Sequence, residues 1–184
     1  MDLSGIDLAS AVSGKGLGAL TGLALVFHRG TPVAAPARLP RYLDLGLYAA
    51  GEGTPFSGSS NLLASLEASL AEKRGSAFLE RIAAASRRLR GRLQAAGIPI
   101  LLDADVCSPA ILTLPLPSGS DSLETGARLE KKGILLNYRG GYLVDRNWIQ
   151  IALMADHPEA GLDALACALE EVCAERFTAS ARFG

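Results

Sequence analysis

Val12-Ser13-Gly14-Lys15-Gly16-Leu17-Gly18-Ala19-Leu20-Thr21-Gly22-Leu23-Ala24-Leu25-Val26 is the stretch from which the rest of the chain is read. It sets a single lysine among small residues and follows it with an apolar run. A lysine with small apolar neighbours is poorly placed to stay charged. Desolvation lowers its pKa and frees the amine as a nucleophile, the condition a Schiff-base lysine needs. The plainer alternative is a solvated lysine in a glycine-rich surface turn. The run from Leu23 to Phe27 is short, apolar and bounded by Gly22 and Gly30, so it predicts a buried strand.

The glycines around Lys15 do not make a nucleotide loop. A phosphate-binding loop needs Gly five residues before the Gly-Lys pair and Ser or Thr after the Lys. Those positions hold Ala9 and Gly16. A dinucleotide fingerprint fails as well, because Gly14-x-Gly16 leads to Ala19 and Gly16-x-Gly18 leads to Thr21.

At 184 residues the chain is one domain or a little more, long enough to bury a core. A net charge of −1 gives no electrostatic case for nucleic acid or an anionic membrane. No apolar run is long enough to span a bilayer. Asp2 and Asp7 stand where a signal peptide carries basic residues, so a cytoplasmic protein is expected. Cys107, Cys167 and Cys173 are odd in number, lack metal-site spacing and read as free thiols. His28 and His157 are too few and too far apart for a metal site, and none is expected.

The Lys15 segment resembles the cofactor-lysine region of class V, fold-type I pyridoxal-phosphate aminotransferases. It is most similar to the 2-aminoethylphosphonate–pyruvate transaminases and the related alanine–glyoxylate group. Ser13-Gly14-Lys15 stands close to their Ser-x-x-Lys pattern. Gly22 is kept, while Thr21 replaces the usual Pro and Ala24 the second Gly. Gly53-Thr54-Pro55-Phe56-Ser57-Gly58 resembles the family's Thr-Pro segment, with Thr54 at the matching position; read from its residues alone, it is an ordinary turn before a helix cap. Leu101-Leu102-Asp103 and Cys107-Ser108-Pro109-Ala110-Ile111 are similar to phrases of the phosphonate group. The resemblance implies pyridoxal 5'-phosphate held by Lys15, with Ser13 and Thr54 as cofactor contacts. It covers only the family's C-terminal half.

The fold expected is α/β: a remnant of the large cofactor-binding domain over 1–75, a small α+β domain over 76–177 and a tail over 178–184. Helices are predicted from Ser60 to Lys73, with Leu62, Leu63, Leu66 and Leu70 on one face, and from Ser76 to Ala96, with Leu79, Ile82, Ala83, Leu89 and Leu93 forming the stripe. Gly97 is the stop. Arg81, Arg87, Arg88, Arg90 and Arg92 read as a solvated helix face. Beyond it, strands are predicted at 98–102, 110–114, 134–137, 142–144 and 148–154. A helix is expected between Asp121 and Gly133, and a last one opens at Pro158 with Leu162, Leu165, Ala166, Leu169, Val172 and Cys173 inward. The order reads as an antiparallel sheet with helices on one face. From Phe177 on, a frayed tail is expected.

Two features depart from the family. Its carboxylate-binding arginine aligns with Gln150, and a neutral amide does not replace a bidentate charged contact. Arg139 and Arg146 are the nearby candidates for that role. Only 14 residues precede Lys15, so the ring-stacking residue and the aspartate facing the pyridine nitrogen are expected from elsewhere. The implied activity is amino transfer from an amine or amino acid, an aminophosphonate included, to a 2-oxo acid such as pyruvate. The partner is a second copy of the chain or a complementing N-terminal half, and self-association through the sticky strand edge is expected. The alternatives are a non-catalytic module acting in dimerisation or binding, and a fragment with no separate role.

Overall fold

The computed structural model describes residues 4–73 and 75–180, with side chains as far as Val172. The chain falls into two compact units that divide between Lys73 and Arg74.

In the first unit β1 (Leu8–Val12) and β2 (Ala24–His28) pair antiparallel, Leu8 opposite His28 and Val12 opposite Ala24. The strand expected at 23–27 is therefore present, one residue further on. It is not buried: Phe27 is 59% exposed, and Leu8, Val12 and Val26 are exposed beside it. Two strands form a ribbon that no other strand extends among the described residues, and a two-stranded ribbon by itself buries little apolar surface. A long loop leads to a 3-10 turn at Arg41–Leu43 and to α1 (Leu45–Ala50). Asp44 caps α1. Its buried carboxylate accepts hydrogen bonds from the Gly46 N–H at 3.0 Å and the Ala35 N–H at 2.8 Å, which folds the loop back onto the helix. After a turn, α2 (Ser60–Glu72) closes the unit. Leu66 and Ser69 are its buried residues, whereas Leu63 and Leu70 of the expected stripe are exposed.

The main hydrophobic cluster belongs to the second unit and runs from Phe78 to Val172. Helix α3 (Ala77–Ala95) buries Phe78, Ile82, Leu89 and Leu93. Phe78 takes the place expected of Leu79, which is 64% exposed. Gly97, at φ +71°, ends the helix: the Ile98 N–H bonds the Leu93 carbonyl at 2.9 Å and the Gly97 N–H that of Gln94 at 3.0 Å. That closure explains why 98–102 is not a strand. The Ile98 N–H is spent on the helix end and Pro99 has none to give. Only the Leu101 N–H reaches β3 (Ile111–Pro115), at the Thr113 carbonyl.

Helix α4 (Ser122–Lys131) starts at Asp121, whose carboxylate accepts from the Glu124 N–H at 2.8 Å, and ends at Gly133, φ +82°. The expected strand at 134–137 contributes a single bridge, Asn137 to Gln150. At 142–144 the chain is helical instead: α5 (Gly141–Val144) forms because the Gly140 carbonyl accepts from both the Leu143 and Val144 N–H groups. β4 (Trp148–Ala152) then pairs antiparallel with β3, Ile111 opposite Ala152 and Pro115 opposite Trp148. Leu112, Leu114, Ile149 and Ile151 alternate onto the buried face of this ribbon. α6 (Glu159–Ser180) packs on α3 and α4, while α4 also touches β4. α6 runs past Phe177, where a frayed tail was expected. Residues 181–184 and the Cys173 side chain lie outside the described part.

The arginines of α3 are not a free cationic patch. Arg81 pairs with Asp156 at 2.8 Å. Arg88 pairs with Glu159 and Asp163, and Arg92 with Asp163 and Glu170, all between 2.9 and 3.2 Å. This ladder ties α3 to the start of α6. Its members are solvated, so it adds register more than stability. Arg90 is buried and donates to the Leu102 carbonyl and the Cys107 sulfur.

Candidate functional site

The Lys15 turn connects β1 to β2, and Ser13 builds it. Fully buried, Ser13 donates its hydroxyl to the Leu20 carbonyl at 2.7 Å and accepts from the Leu23 N–H at 3.2 Å. Its own N–H reaches the Leu23 carbonyl, and its carbonyl accepts from the Ala19 N–H. The Gly18 N–H closes the tip onto the Lys15 carbonyl at 2.8 Å. Gly14 must be glycine, because a Cβ there would overlap the Thr21 side chain. At the tip Lys15 is exposed, and its amine makes no hydrogen bond or ion pair among the described residues. What the small residues supply is a tightly bonded turn with Lys15 exposed at its tip.

One face of α2 grips the far side of this turn. The Ser69 hydroxyl and the Lys73 ammonium both donate to the Leu17 carbonyl, Lys73 at 2.7 Å. Lys73 also donates to the Ser69 oxygen at 2.9 Å. Ser65 accepts from the Leu20 N–H at 2.9 Å. None of these three residues stands out as functional in the sequence. The available signal is their i, i+4, i+8 spacing, which puts them on one helix face.

Thr54 lies outside that turn. It is exposed and follows α1, its N–H bonded to the Gly51 carbonyl at 3.1 Å. Phe56, two residues on, packs in an aromatic trio with Tyr42 and Tyr48 at centroid distances of 5.5 and 5.7 Å. The Thr54 segment is thus anchored through Phe56, while Thr54 itself is exposed.

Gln150, Arg139 and Arg146 belong to the second unit. Gln150 is engaged in the ribbon. Its amide donates to Thr113 Oγ1 at 3.1 Å, and its backbone exchanges two bonds with Asn137. Arg139 stacks on Tyr138, 4.6 Å from the ring centre, and pairs with Glu130 at 2.6 Å. Arg146 differs: it lies 4.0 Å from the Tyr142 ring centre and 5.7 Å from that of Trp148, and it forms no ion pair among the described residues. Its one hydrogen bond, to the Tyr142 carbonyl, is long at 3.4 Å. The guanidinium is thus held by two rings with most of its donors unspent.

Glu130 also accepts from the Tyr138 hydroxyl. That hydrogen bond, aided by Arg139, holds the Glu130 carboxyl below its ordinary range; the same bond, together with burial, pushes the Tyr138 phenol up against the opposing charge of Arg139. The lowered carboxylate contributes stability above its unfolded pKa and loses it as pH falls through the lowered value. The raised phenol contributes stability below its unfolded pKa and loses it as pH rises through the raised one. Tyr138→Phe is accordingly expected to flatten both the acid and the alkaline limb of a melting temperature against pH profile. Parallel limbs in the two proteins would refute this.

No protein-family model and no curated protein matches the chain. Solved structures do. The alanine–glyoxylate aminotransferase from Nostoc sp. superposes with a TM-score of 0.70 at 24% identity, over 91% of this chain and 48% of its own. An aspartate aminotransferase of subgroup IV from Thermus thermophilus gives 0.70 at 24% identity, over 94% and 50%. The serine palmitoyltransferase from S. paucimobilis, with a bound PLP–myriocin aldimine, gives 0.62 at 15% identity, over 92% and 40%. The chain spans about half the length of the structures it matches. With the exposed β1–β2 ribbon and the helix-backed β3–β4 ribbon in place, the chain has the fold of the C-terminal half of a fold-type I PLP-dependent transferase.

Proposed function

We propose that this chain is the lysine-bearing half of a pyridoxal-phosphate aminotransferase and is completed by an N-terminal half. The observation that carries the reading is Lys15: a solvated amine without a partner among the described residues, at the tip of a turn whose backbone is bonded on both sides. An amine so placed meets the aldehyde end of the cofactor without first breaking an ion pair. Thr54 supplies an exposed hydroxyl of the kind a phosphate accepts. Ser13 serves by building the turn, since its hydroxyl is already bonded at Leu20 and Leu23. The residues present therefore fit the aldehyde and one phosphate contact; the acid for the ring nitrogen would come from the N-terminal half.

Pyridoxal phosphate, when bound, supplies the electron sink for charge developing at the amino donor's Cα. Lys15 would hold the cofactor through its amine, and its Nζ would be the base placed to move the proton at the amino donor's Cα. Amino transfer runs from an amine or amino acid, an aminophosphonate included, to a 2-oxo acid such as pyruvate.

For the acceptor's carboxylate the choice among Gln150, Arg139 and Arg146 falls on Arg146. Gln150 is tied to Thr113 and Arg139 is neutralised by Glu130, whereas Arg146 keeps its donors. In the completed enzyme Arg146→Met is expected to raise the KM for the 2-oxo acid roughly thirtyfold, the value of about 2 kcal/mol in a charge-assisted contact. Arg139→Met should change it little. Equal effects of the two substitutions would remove Arg146 from the role. The reading as a whole is tested by borohydride trapping with pyridoxal phosphate and peptide mass spectrometry, on the chain alone and with an N-terminal half added. Labelling selective for Lys15 supports it. Even labelling of every lysine in both samples favours the second reading, a non-catalytic dimerisation or binding module, to which the exposed apolar β1–β2 ribbon lends itself.

A further inference from the structure

The α2 contacts described above lie on one side of the lysine turn and are more than ordinary packing. Leu62, Ser65, Ser69 and Lys73 follow at i, i+3, i+7 and i+11, which is one helix face. Every one of them meets the 17–22 segment. A Cβ at Gly22 would come within 2.8 Å of Leu62 Cδ1, and one at Gly18 within 2.8 Å of Lys73 Nζ. Both glycines have positive φ, +143° and +69°, so the backbone is bent to come this close to the helix. Ser65 takes the Leu20 N–H, and Ser69 and Lys73 converge on the Leu17 carbonyl.

We propose that Lys73, acting with Ser69, is a positioning residue for Lys15: its ammonium pins the Leu17 carbonyl and so fixes the turn on which the Lys15 amine is presented. The proposal rests on the reading of Lys15 as the carbonyl-capturing amine. Two lines make Lys73 the key of the clamp. A charged donor to a carbonyl is the strongest of the contacts present. Lys73 is also bonded to Ser69, which orients that hydroxyl, so losing the ammonium loosens two bonds to one carbonyl. Leu17 is only two residues past Lys15. The bond that closes the tip, Gly18 N–H to the Lys15 carbonyl, comes from the peptide group that carries the pinned carbonyl. Once that peptide is free to rotate, the tip bond goes with it and Lys15 samples many orientations, which raises the entropy cost of every productive approach.

The test uses the full chain with Lys73→Met, which keeps length and apolar stem but not charge, and Lys73→Arg, which restores a charged donor. Ser69→Ala is a second variant with an excellent helix former. Two quantities are read: amide hydrogen exchange at Gly18, Ala19 and Leu20, and the selectivity of pyridoxal-phosphate trapping for Lys15 over Lys131 and Lys132. Lys73→Met should speed exchange about tenfold or more and cut Lys15 selectivity by a comparable factor, as expected for losing a charged hydrogen bond. Ser69→Ala should move both in the same direction by less, and Lys73→Arg should recover most of both. Unchanged selectivity in Lys73→Met, or failure of Lys73→Arg to recover it, overturns the proposal. If the unsubstituted chain shows no selectivity for Lys15, the aminotransferase reading fails and exchange alone decides. Exchange that follows the charge at position 73 then upholds the clamp, and exchange that ignores it overturns it.

Discussion

Lys15→Ala is expected to abolish the selective adduct that pyridoxal phosphate and borohydride leave on this chain, an all-or-none change and the largest effect anticipated. The sequence contains four lysines, so each competing site is known. Lys73 is occupied at Leu17 and Ser69, and Lys132 is paired with Glu171. Each must give up its partner before its amine attacks. Lys131 is exposed at the end of α4 and is therefore the competing site against which the selectivity for Lys15 is read. The substitution leaves the turn intact, because the single bond Lys15 makes there is through its carbonyl, which alanine retains. Stability should therefore stay within about 0.5 kcal/mol of the parent, as for most surface changes. Lys15→Arg sharpens the test: it keeps the charge, but a guanidinium does not give up its proton near neutral pH and cannot serve as the nucleophile. If either variant is labelled like the parent, the adducts come from unspecific surface chemistry and Lys15 has no special role.

The fold was legible wherever local chemistry is decisive and illegible wherever a neighbour decides. α3 and α4 end where Gly97 and Gly133 put a left-handed residue after an apolar stripe, and α4 begins where Asp121 offers a capping carboxylate. These signals lie within a few residues of the event they cause. The strands expected at 98–102 and 134–137 have the right composition, but strand formation is a property of pairs. The Ile98 and Ile134 N–H groups are both claimed by the preceding helix ends, at the Leu93 and Leu129 carbonyls. At 142–144 an apolar triplet has the composition of a strand, but the two glycines before it release the chain into a turn of helix. The exposed ribbon follows the same logic: Leu23 to Phe27 is apolar enough for burial, but within the described residues of the first unit β1 and β2 pair only with each other.

The site divides in the same way. Ser13, Gly14 and Lys15 are contiguous, so a resemblance could find them together. The α2 face that grips the turn lies 45 to 56 positions away along the chain and is written in serines and a lysine. Such residues at helical spacing read as solvated surface until the turn is laid against them. Arg146 was visible as a charge, but its advantage over Arg139 was not. That advantage depends on Glu130, nine residues before Arg139, and on two rings that flank Arg146.

Gly126→Ala is expected to destabilise the second unit severely, against the direction that helix propensity predicts. Gly126 is buried in the middle of α4, where replacing glycine by alanine ordinarily gains about 1 kcal/mol. Here the Tyr138 ring lies on the glycine, and a Cβ would fall among the ring atoms. The ring has little room to yield. Tyr138 is 4% exposed, its hydroxyl is bonded to Glu130 on the same helix, and Arg139 stacks on its face. Accommodating the methyl group needs a shift of ring or helix in a close-packed core, which costs on the order of 3 kcal/mol and outweighs the propensity gain. Urea unfolding should show a lower midpoint with an unchanged slope. The pair Gly126→Ala, Tyr138→Ala should be less destabilised than the sum of its two members, because removing the ring removes the clash. Additive effects, or a stabilised Gly126→Ala, would mean that Tyr138 does not sit where it is placed here. The consequence reaches the proposed substrate contact, since Tyr138 anchors the segment that leads through Arg139 to α5 and Arg146. A displaced ring should therefore also weaken 2-oxo acid binding in the completed enzyme, with no change at the Lys15 turn.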